Sequence, residues 1–165
     1  MIDAKGVIKG QMVWGANLMQ LFSSDLSDDE FFFQPTAGGS HLGWILGHLA
    51  GTQDWAVANV TGQPQRLPTE INERFGFGSE ISADRSRFLP RAEVEALFRD
   101  TQAHSLSVLA DYDLSQWNEP TPEGVPSEYF PTMGSLWNLL PLHTFWHFGQ
   151  LTVNRRMLGK PSKLM

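Results

Sequence analysis

The stretch PLHTFWHFGQL, residues 141–151, places two histidines four residues apart in a segment with the spacing of a helix core. Four residues turn an α-helix through about 400°, so the rings of His143 and His147 lie on one face, one turn apart. Polar and apolar residues continue this face at three- or four-residue steps: Leu136, Leu140, Leu151 and Asn154. Two interpretations are open: a pair of buried, hydrogen-bonded imidazoles, or two ligands of one divalent metal ion.

Helical periodicity occurs in four stretches of the chain. They run from about Ala4 to Ser24, His41 to Val60, Arg91 to Tyr112 and Met133 to Leu158. No stretch shows the two-residue alternation of a strand, so we expect an all-α fold, a four-helix bundle forming one domain over residues 1–165. The connectors 61–90 and 113–132 are rich in Pro and Gly and long enough for crossovers, which argues against a simple up-down-up-down order.

Local signals predict the details of these helices. The apolar stripe of the first helix predicts its buried face: Val7, Gln11, Trp14, Leu18, Leu21 and Phe22. Ser40 is the expected N-cap of the second helix, since its hydroxyl can accept a hydrogen bond from a free backbone N–H. The fourth helix should stop before Gly159, and Pro141 either kinks or begins it; both outcomes keep the histidine pair in register.

Composition and charge restrict the classes of function. The 165 residues include 12 basic and 18 acidic side chains, a formal net charge of −6, and no basic patch, which argues against nucleic acid as a partner. No apolar run approaches the ~18 residues of a membrane span, and the N-terminus lacks the pattern of a signal peptide. The absence of cysteine excludes disulfides and thiolate ligands. We expect a soluble, cytoplasmic protein.

Three further histidines are candidates for a third ligand. His48 lies at the edge of the apolar stripe of the second helix. His41 lies two turns earlier, about 10 Å away along the axis, so the two could not easily share one ion. A lone histidine on an apolar face is more often a hydrogen-bonded core residue, and His104 is interpreted as structural or exposed. The residues alone leave the metal undecided.

Two motifs add a family resemblance. WILGHLAG, residues 44–51, and HTFWHFGQL, residues 143–151, followed by RRMLGKP, residues 155–161, resemble the DinB-like superfamily. Its members include the YfiT-like proteins and the bacillithiol- or mycothiol-dependent transferases. The family pattern is a histidine in GH(I/L)A on the second helix and H-x-x-x-H-x-G-Q on the fourth. Phe148 stands where many relatives carry a polar or basic residue.

The resemblance implies an up-down-down-up four-helix bundle, often a homodimer. It also implies that His48, His143 and His147 hold a divalent metal. Three imidazoles leave a coordination position free, as in catalytic rather than structural zinc sites. Imidazole suits Zn, Ni, Cu and Fe, and zinc or nickel is expected here.

The expected function is a thiol-dependent S-transferase that acts on a small-molecule substrate in detoxification or stress response. Because the chain has no cysteine, the thiol would come from a low-molecular-weight co-substrate. A metal-dependent hydrolase or amidase, and a bundle that binds a metal or a small molecule without turnover, remain as alternatives. No residue is assigned as the general base.

Other side chains are candidates for the surroundings of the metal. Trp44, Trp55 and Trp146 could line the pocket, although core packing is the preferred role for each. A ligating imidazole usually donates its second N–H to a carboxylate, carbonyl or amide. The candidates for that role are Gln53, Asp54, Gln150 and Asn154, and an ordinary place at a polar helix edge explains each of them equally well.

Overall fold

Six α-helices make up most of the structure, a computed structural model that describes residues 3–164. They are α1 (Ala4–Ser23), α2 (Asp28–Phe31), α3 (Leu42–Thr61), α4 (Thr69–Phe75), α5 (Arg91–Asp111) and α6 (Met133–Met157). Over those described residues, β pairing is limited to an isolated bridge between Pro120 and Thr132. The predicted all-α class is confirmed, and the four long helices begin and end within a residue or two of their predicted bounds.

Hydrogen bonds between helix ends define the directions of the four long helices. Arg155, near the end of α6, donates to the carbonyl of Phe22 at the end of α1. Lys5, at the start of α1, donates to the carbonyl of Ala110 at the end of α5. Asn154, near the end of α6, donates to the carbonyl of Ser40 just before α3. Thus α1 and α6 run parallel, while α3 and α5 run opposite to them. This is the up-down-down-up order, and the long connector 62–90 joins the two parallel helices α3 and α5.

The buried face of α1 differs from the predicted one. The residues that enter the core are Ile8, Met12, Gly15, Leu18, Met19 and Phe22. Val7, Trp14 and Leu21 point outwards instead and are 48%, 59% and 44% exposed. Both sets repeat at helical spacing, so periodicity could not separate them. The close fit between α1 and α6 determines which of the two sets is buried, since a Cβ at Gly15 would lie 2.9 Å from a methyl carbon of Thr144.

The start of α3 also differs from the prediction. His41, not Ser40, is the N-cap: its Nδ1 accepts a hydrogen bond of 3.0 Å from the backbone N–H of Trp44. The ring is buried and contacts the rings of Phe32 and Phe88, with centroids 5.3 and 4.5 Å away. This packing holds the imidazole at the cap position. His41 therefore has a structural role and lies outside the grouped histidines.

α6 runs unbroken through Pro141 to Met157. Its first turn is closed by a capping box between Thr132 and Ser135, and the chain leaves the helix at Gly159, whose φ of 71° suits glycine. The predicted stop is confirmed. None of the helices in the part of the chain that the structure describes is both long and apolar enough to cross a membrane.

The connector 62–90 is more ordered than its sequence suggests, because α4 lies within it. Phe75, the last residue of α4, is completely buried against α3. Gly47 of α3 makes room for it, since a Cβ there would lie only 2.4 Å from the Phe75 ring. This contact brings the connector to the part of α3 that carries His48.

Candidate metal centre

The side chains of His48 on α3 and of His143 and His147 on α6 meet between the two helices. The Nε2 atom of His143 lies 3.2 Å from Nε2 of His48 and 2.9 Å from Nε2 of His147. One ring nitrogen from each histidine lies within 4.8 Å of the other two. Two imidazole nitrogens on a tetrahedral zinc ion are about 3.3 Å apart, given bonds of about 2.0–2.1 Å. The spacing therefore fits one ion held by three imidazoles.

Hydrogen bonds at the far side of two rings define which nitrogen carries the proton. Nδ1 of His48 lies 2.7 Å from the carbonyl oxygen of Phe75, and Nδ1 of His147 lies 2.7 Å from Oε1 of Gln150. Both partners are acceptors, so each Nδ1 is the N–H donor and each neutral ring has its lone pair at Nε2. The lone pairs of these two Nε2 atoms therefore point at Nε2 of His143. A cation bound among the three nitrogens would remove the repulsion between the lone pairs.

Burial keeps the three imidazoles in the neutral form that binds metal. It lowers the pKa of His48 below its ordinary value. Burial, with a smaller effect from the two neighbouring rings, lowers the pKa of His143 to about 3. Burial also lowers the pKa of His147 to about 4, against the opposing hydrogen bond to Gln150. At pH 7 all three rings are ready to donate lone pairs without first losing a proton.

His143 is the ligand candidate at the open side of the cluster. It is half-buried, whereas His48 and His147 are 8% and 6% exposed. Its buried Nδ1 has no hydrogen-bond partner among residues 3–164. The two other rings are therefore held from behind by the chain, and access from solvent is at His143.

Trp44 forms one wall of the cluster. Its ring stacks on His48, with centroids 4.5 Å apart and planes 12° apart, and it is 6% exposed. Its indole N–H donates a 3.0 Å hydrogen bond to the hydroxyl of Ser79 in the connector 62–90. The connector thus reaches the cluster twice, through the Phe75 carbonyl and through Ser79. The sequence predicted Trp44 as a candidate wall residue but not the contact with the Phe75 carbonyl. Gly47, directly before His48, was the one signal in the sequence that another segment packs closely against α3 at this point.

The other predicted neighbours of the metal are only partly correct. Gln150 orients His147, as expected, but Asp54 accepts from the backbone N–H groups of Arg66 and Leu67. The two remaining amides also serve the bundle: Gln53 accepts from the Ser105 hydroxyl, and Asn154 donates to the Ser40 carbonyl. None of these three orients a ligand. Gln53 and Asp54 are engaged with α5 and with the connector 62–90, and Asn154 lies on the histidine face but two turns beyond His147, where it bonds to the residue before α3.

The remaining candidates lie outside the cluster. His104, on α5, is not among the grouped histidines. Trp55 is partly buried and packs near Phe130, with centroids 6.2 Å apart. Trp146 is 72% exposed, so the preferred prediction of core packing is wrong for it. The ring points away from the bundle because the neighbouring His147 takes the inward face.

A cleft of about 400 Å³ lies between α1 and α5, away from the histidines. Its walls combine apolar and polar side chains, among them Met19, Leu46, Phe98, Arg91 and Gln102. No member of the histidine cluster lines it. The chemistry of the three imidazoles is therefore confined to the α3–α6 side of the bundle.

Comparison with known proteins agrees with this geometry. The family model of the DinB superfamily matches residues 11–151, so the chain belongs to that superfamily. A conserved protein from Enterococcus faecalis, known from its crystal structure, has the same fold with a TM-score of 0.80 at 12% sequence identity. The similarity covers 97% of this chain and 100% of that one. No curated protein matches the sequence.

The superfamily and the cluster together define a helical bundle with a site that could hold a divalent metal ion. Its candidate ligands are His48, His143 and His147, the three residues that the family resemblance implied.

Proposed function

We propose that this protein is a metal-dependent S-transferase that joins a low-molecular-weight thiol to a small electrophile in the cytoplasm. The observation that carries the proposal is the convergence of three neutral imidazoles, of which His143 is only half-buried while the other two are buried. Three protein ligands leave room for an exogenous group, which is the arrangement of a catalytic centre. The chain itself has no cysteine to fill that position or to act as the nucleophile.

The chain's own residues hold and orient the ligand set. The Phe75 carbonyl and the Gln150 amide hold the rings of His48 and His147 from behind. The stacked Trp44 ring excludes water from one side of His48. A divalent metal such as zinc or nickel would supply Lewis acidity, which lowers the pKa of a bound thiol so that it reacts as the thiolate at neutral pH.

The absence of a carboxylate favours transfer over hydrolysis. Among residues 3–164, the grouped metal-ligating side chains are the three histidines, and Asp54 is occupied by backbone N–H groups. Hydrolysis of an amide usually relies on a positioned general base to take a proton from water. A thiol that ionises on the metal does not need one. The connectors 62–90 and 112–132 carry exposed aromatic side chains, Phe77 and Tyr129, that could contact an apolar electrophile.

The first experiment measures the metal content of untagged protein by elemental analysis. We expect about one zinc or nickel ion per chain in the wild type. His48→Ala, His143→Ala and His147→Ala should each lose it. The matched control is His104→Ala, which removes a histidine outside the cluster and should keep the metal. Folded, metal-free wild-type protein that cannot be loaded with Zn²⁺ or Ni²⁺ would contradict the proposal.

The second experiment incubates metal-loaded protein with a panel of low-molecular-weight thiols and an aryl halide, and identifies products by mass spectrometry. The expected product is the thioether, with release of halide, formed faster than without protein, whereas His143→Ala should give only the rate seen without protein. A product in which water has replaced the halide would favour the hydrolase instead. Intact metal binding without any turnover across the panel would favour a bundle that only binds.

A further inference from the structure

The cleft between α1 and α5 has the volume of a small-molecule site. It encloses about 400 Å³, within the roughly 300–1,000 Å³ of ligand pockets in proteins. The wall that α1 contributes includes the short side chains of Ala16, Ser23 and Ser24. Because these side chains do not reach across to α5, the space between the two helices stays open to a ligand.

The floor of the cleft is apolar and buried. Met19, Leu46 and Phe98 are 2%, 4% and 7% exposed and come from three different helices, α1, α3 and α5. An apolar group that enters the cleft therefore leaves water on three sides, which favours binding in proportion to the area buried. Leu46 and His48 point to opposite sides of α3, since two residues turn a helix through about 200°. The cleft is thus separated from the histidine cluster by α3.

The cleft is elongated along the helix axes. At one end Arg91 donates a 3.2 Å hydrogen bond to the Ser23 carbonyl, and at the other Gln102 donates a 3.0 Å bond to the Met12 carbonyl. Arg91 and Gln102 both line the cleft and lie about 16 Å apart along α5. A site with this shape suits a linear chain better than a compact ring system.

The charge of the cleft is opposite in sign to that of the whole chain. The chain has a formal net charge of −6, whereas the charged residues that line the cleft are Arg91, Glu95 and Arg99. Arg91 and Glu95 neutralise each other, because Nε of Arg91 donates a 2.9 Å hydrogen bond to the Glu95 carboxylate. The two terminal nitrogens of Arg91 are held by backbone carbonyls. The net positive charge of the cleft therefore belongs to Arg99.

Arg99 is placed to bind an anionic head group. It comes three residues before Gln102 on α5, so it lies towards the end of the cleft opposite Arg91. Its side chain is 71% exposed, and its ion pair is with the adjacent Asp100 at 3.7 Å. An exposed pair of this kind contributes little energy, so the guanidinium can turn to a ligand. A carboxylate is the group that matches its planar fork of N–H donors.

We propose that the cleft between α1 and α5 is a second ligand site that binds a linear, medium-chain carboxylate. The head group pairs with Arg99, and the alkyl chain lies over Met19, Leu46 and Phe98. A cationic amphiphile is the less suitable occupant, because Glu95 is already paired with Arg91. The site does not depend on the metal or on the function proposed for the histidine cluster.

The test is isothermal titration of the untagged full chain with decanoate, as purified and after removal of metal with a chelator. Decanoate should bind at one site per chain in both samples, with a Kd on the order of 10–100 μM for a ligand of this size. Octanoate, which buries two fewer methylene groups, should bind roughly tenfold more weakly. Binding that disappears with the metal would mean that the carboxylate sits on the histidine cluster, which would overturn the proposal.

Two variants test the two parts of the site. Arg99→Gln removes the charge at similar length and should weaken decanoate binding about tenfold, since hydrogen bonds to a charged group are the stronger ones. Its matched control is Arg74→Gln, which changes an exposed arginine on α4 outside the cleft. Ala16→Phe places a ring in the cleft and should abolish binding. Its control is Ala4→Phe, an exposed position on the same helix about 18 Å away.

Thermal unfolding followed by circular dichroism shows whether each variant is folded. If Ala16→Phe does not fold, Arg99→Gln and the comparison of octanoate with decanoate still test the site. The proposal is overturned if the wild type does not bind decanoate at about 1 mM, on the order of ten times the upper expected Kd. It is also overturned if Arg99→Gln binds decanoate like the wild type, or if each control loses as much affinity as its paired variant.

Discussion

The two sides of α6 differ in which side chains they bury: the inner side buries polar imidazoles, and the outer side exposes large apolar groups. The inner side places the imidazoles of His143 and His147 between helices, and burial lowers the pKa of each ring far below its ordinary value. The outer side turns Trp146 and Val153 to solvent, 72% and 49% exposed. Buried polar groups and large exposed apolar groups are the two informative departures from normal burial. One helix shows both: its inner side carries two candidate metal ligands, and its outer side turns large apolar side chains to solvent.

The largest expected effect separates the two sides at adjacent residues. His147→Ala removes a candidate ligand and should weaken zinc binding more than 100-fold, beyond the loss of about 10–100-fold expected when a residue that only orients a ligand is changed. Trp146→Phe keeps an apolar ring on the outer side and should leave zinc affinity unchanged. Isothermal titration with a competing chelator measures both. If both variants lost the same amount of zinc affinity, the inner and outer sides of α6 would not differ in their contribution to metal binding.

The second prediction concerns the wall behind His48. Gly47→Ala places a methyl group about 2.4 Å from the Phe75 ring, which is fully buried, and overpacking of this kind costs about 1–3 kcal/mol. Urea denaturation should show that loss, and zinc affinity should also fall because the Phe75 carbonyl moves. Gly51→Ala is the matched control, since its Cβ would meet only the Asn72 side-chain oxygen at 3.2 Å. A stable Gly47→Ala protein with normal zinc affinity would speak against the role of Phe75.

The third prediction tests the orientation of His147. Gln150→Leu removes the acceptor of its Nδ1–H and should lower zinc affinity about 10–100-fold. Gln150→Glu keeps an acceptor oxygen at a similar place and should retain most of the affinity. Chelator competition measures the difference. If both variants bind zinc like the wild type, the hydrogen bond does not contribute to the site.

The fourth prediction is a pH dependence of the metal-free chain. Burial lowers the pKa of His41 to about 4, while the unfolded chain has a value near 6.5. Below about pH 6.5 the unfolded state takes up the proton and the folded state does not, so stability falls as pH decreases towards about 4. Each such histidine contributes up to about 1.4 kcal/mol per pH unit.

His41→Asn isolates one of these contributions. Asparagine can keep the N-cap of α3 but does not titrate, so the decrease in stability between pH 6.5 and pH 5 should be shallower than in wild type. Urea denaturation of metal-free protein at several pH values measures the slope rather than the absolute stability. An identical slope in both proteins would mean that His41 is protonated in the folded chain.

The smallest effect concerns the outer side. Gly10→Ala should raise the stability of the chain by about 0.5–1 kcal/mol, because a Cβ meets nothing within 4 Å and alanine favours the helix. Thermal unfolding of Gly10→Ala and wild type at the same protein concentration measures the difference. A melting temperature that is unchanged or lower in Gly10→Ala would show that this exposed helix position does not respond to helix propensity.

Local sequence patterns predicted much of the bundle. The four helix spans follow from spacing and from stop signals such as Gly159, because helix formation depends on residues three and four apart. The histidine spacing on α6 follows from the same geometry, and family resemblance added His48. Ser40 failed as the N-cap because tertiary packing placed the buried ring of His41 there.

The sequence by itself determined the helical class, the positions of the long helices and the identity of the three histidines. Only the tertiary structure decided which apolar stripe of α1 enters the core, since Val7 and Ile8 begin stripes of equal periodicity and the close contact of Gly15 with Thr144 selects one. It also decided that the Phe75 carbonyl, from a connector without a clear pattern, holds His48. Local periodicity reports the residues along one helix, whereas these choices depend on the surfaces that neighbouring helices present.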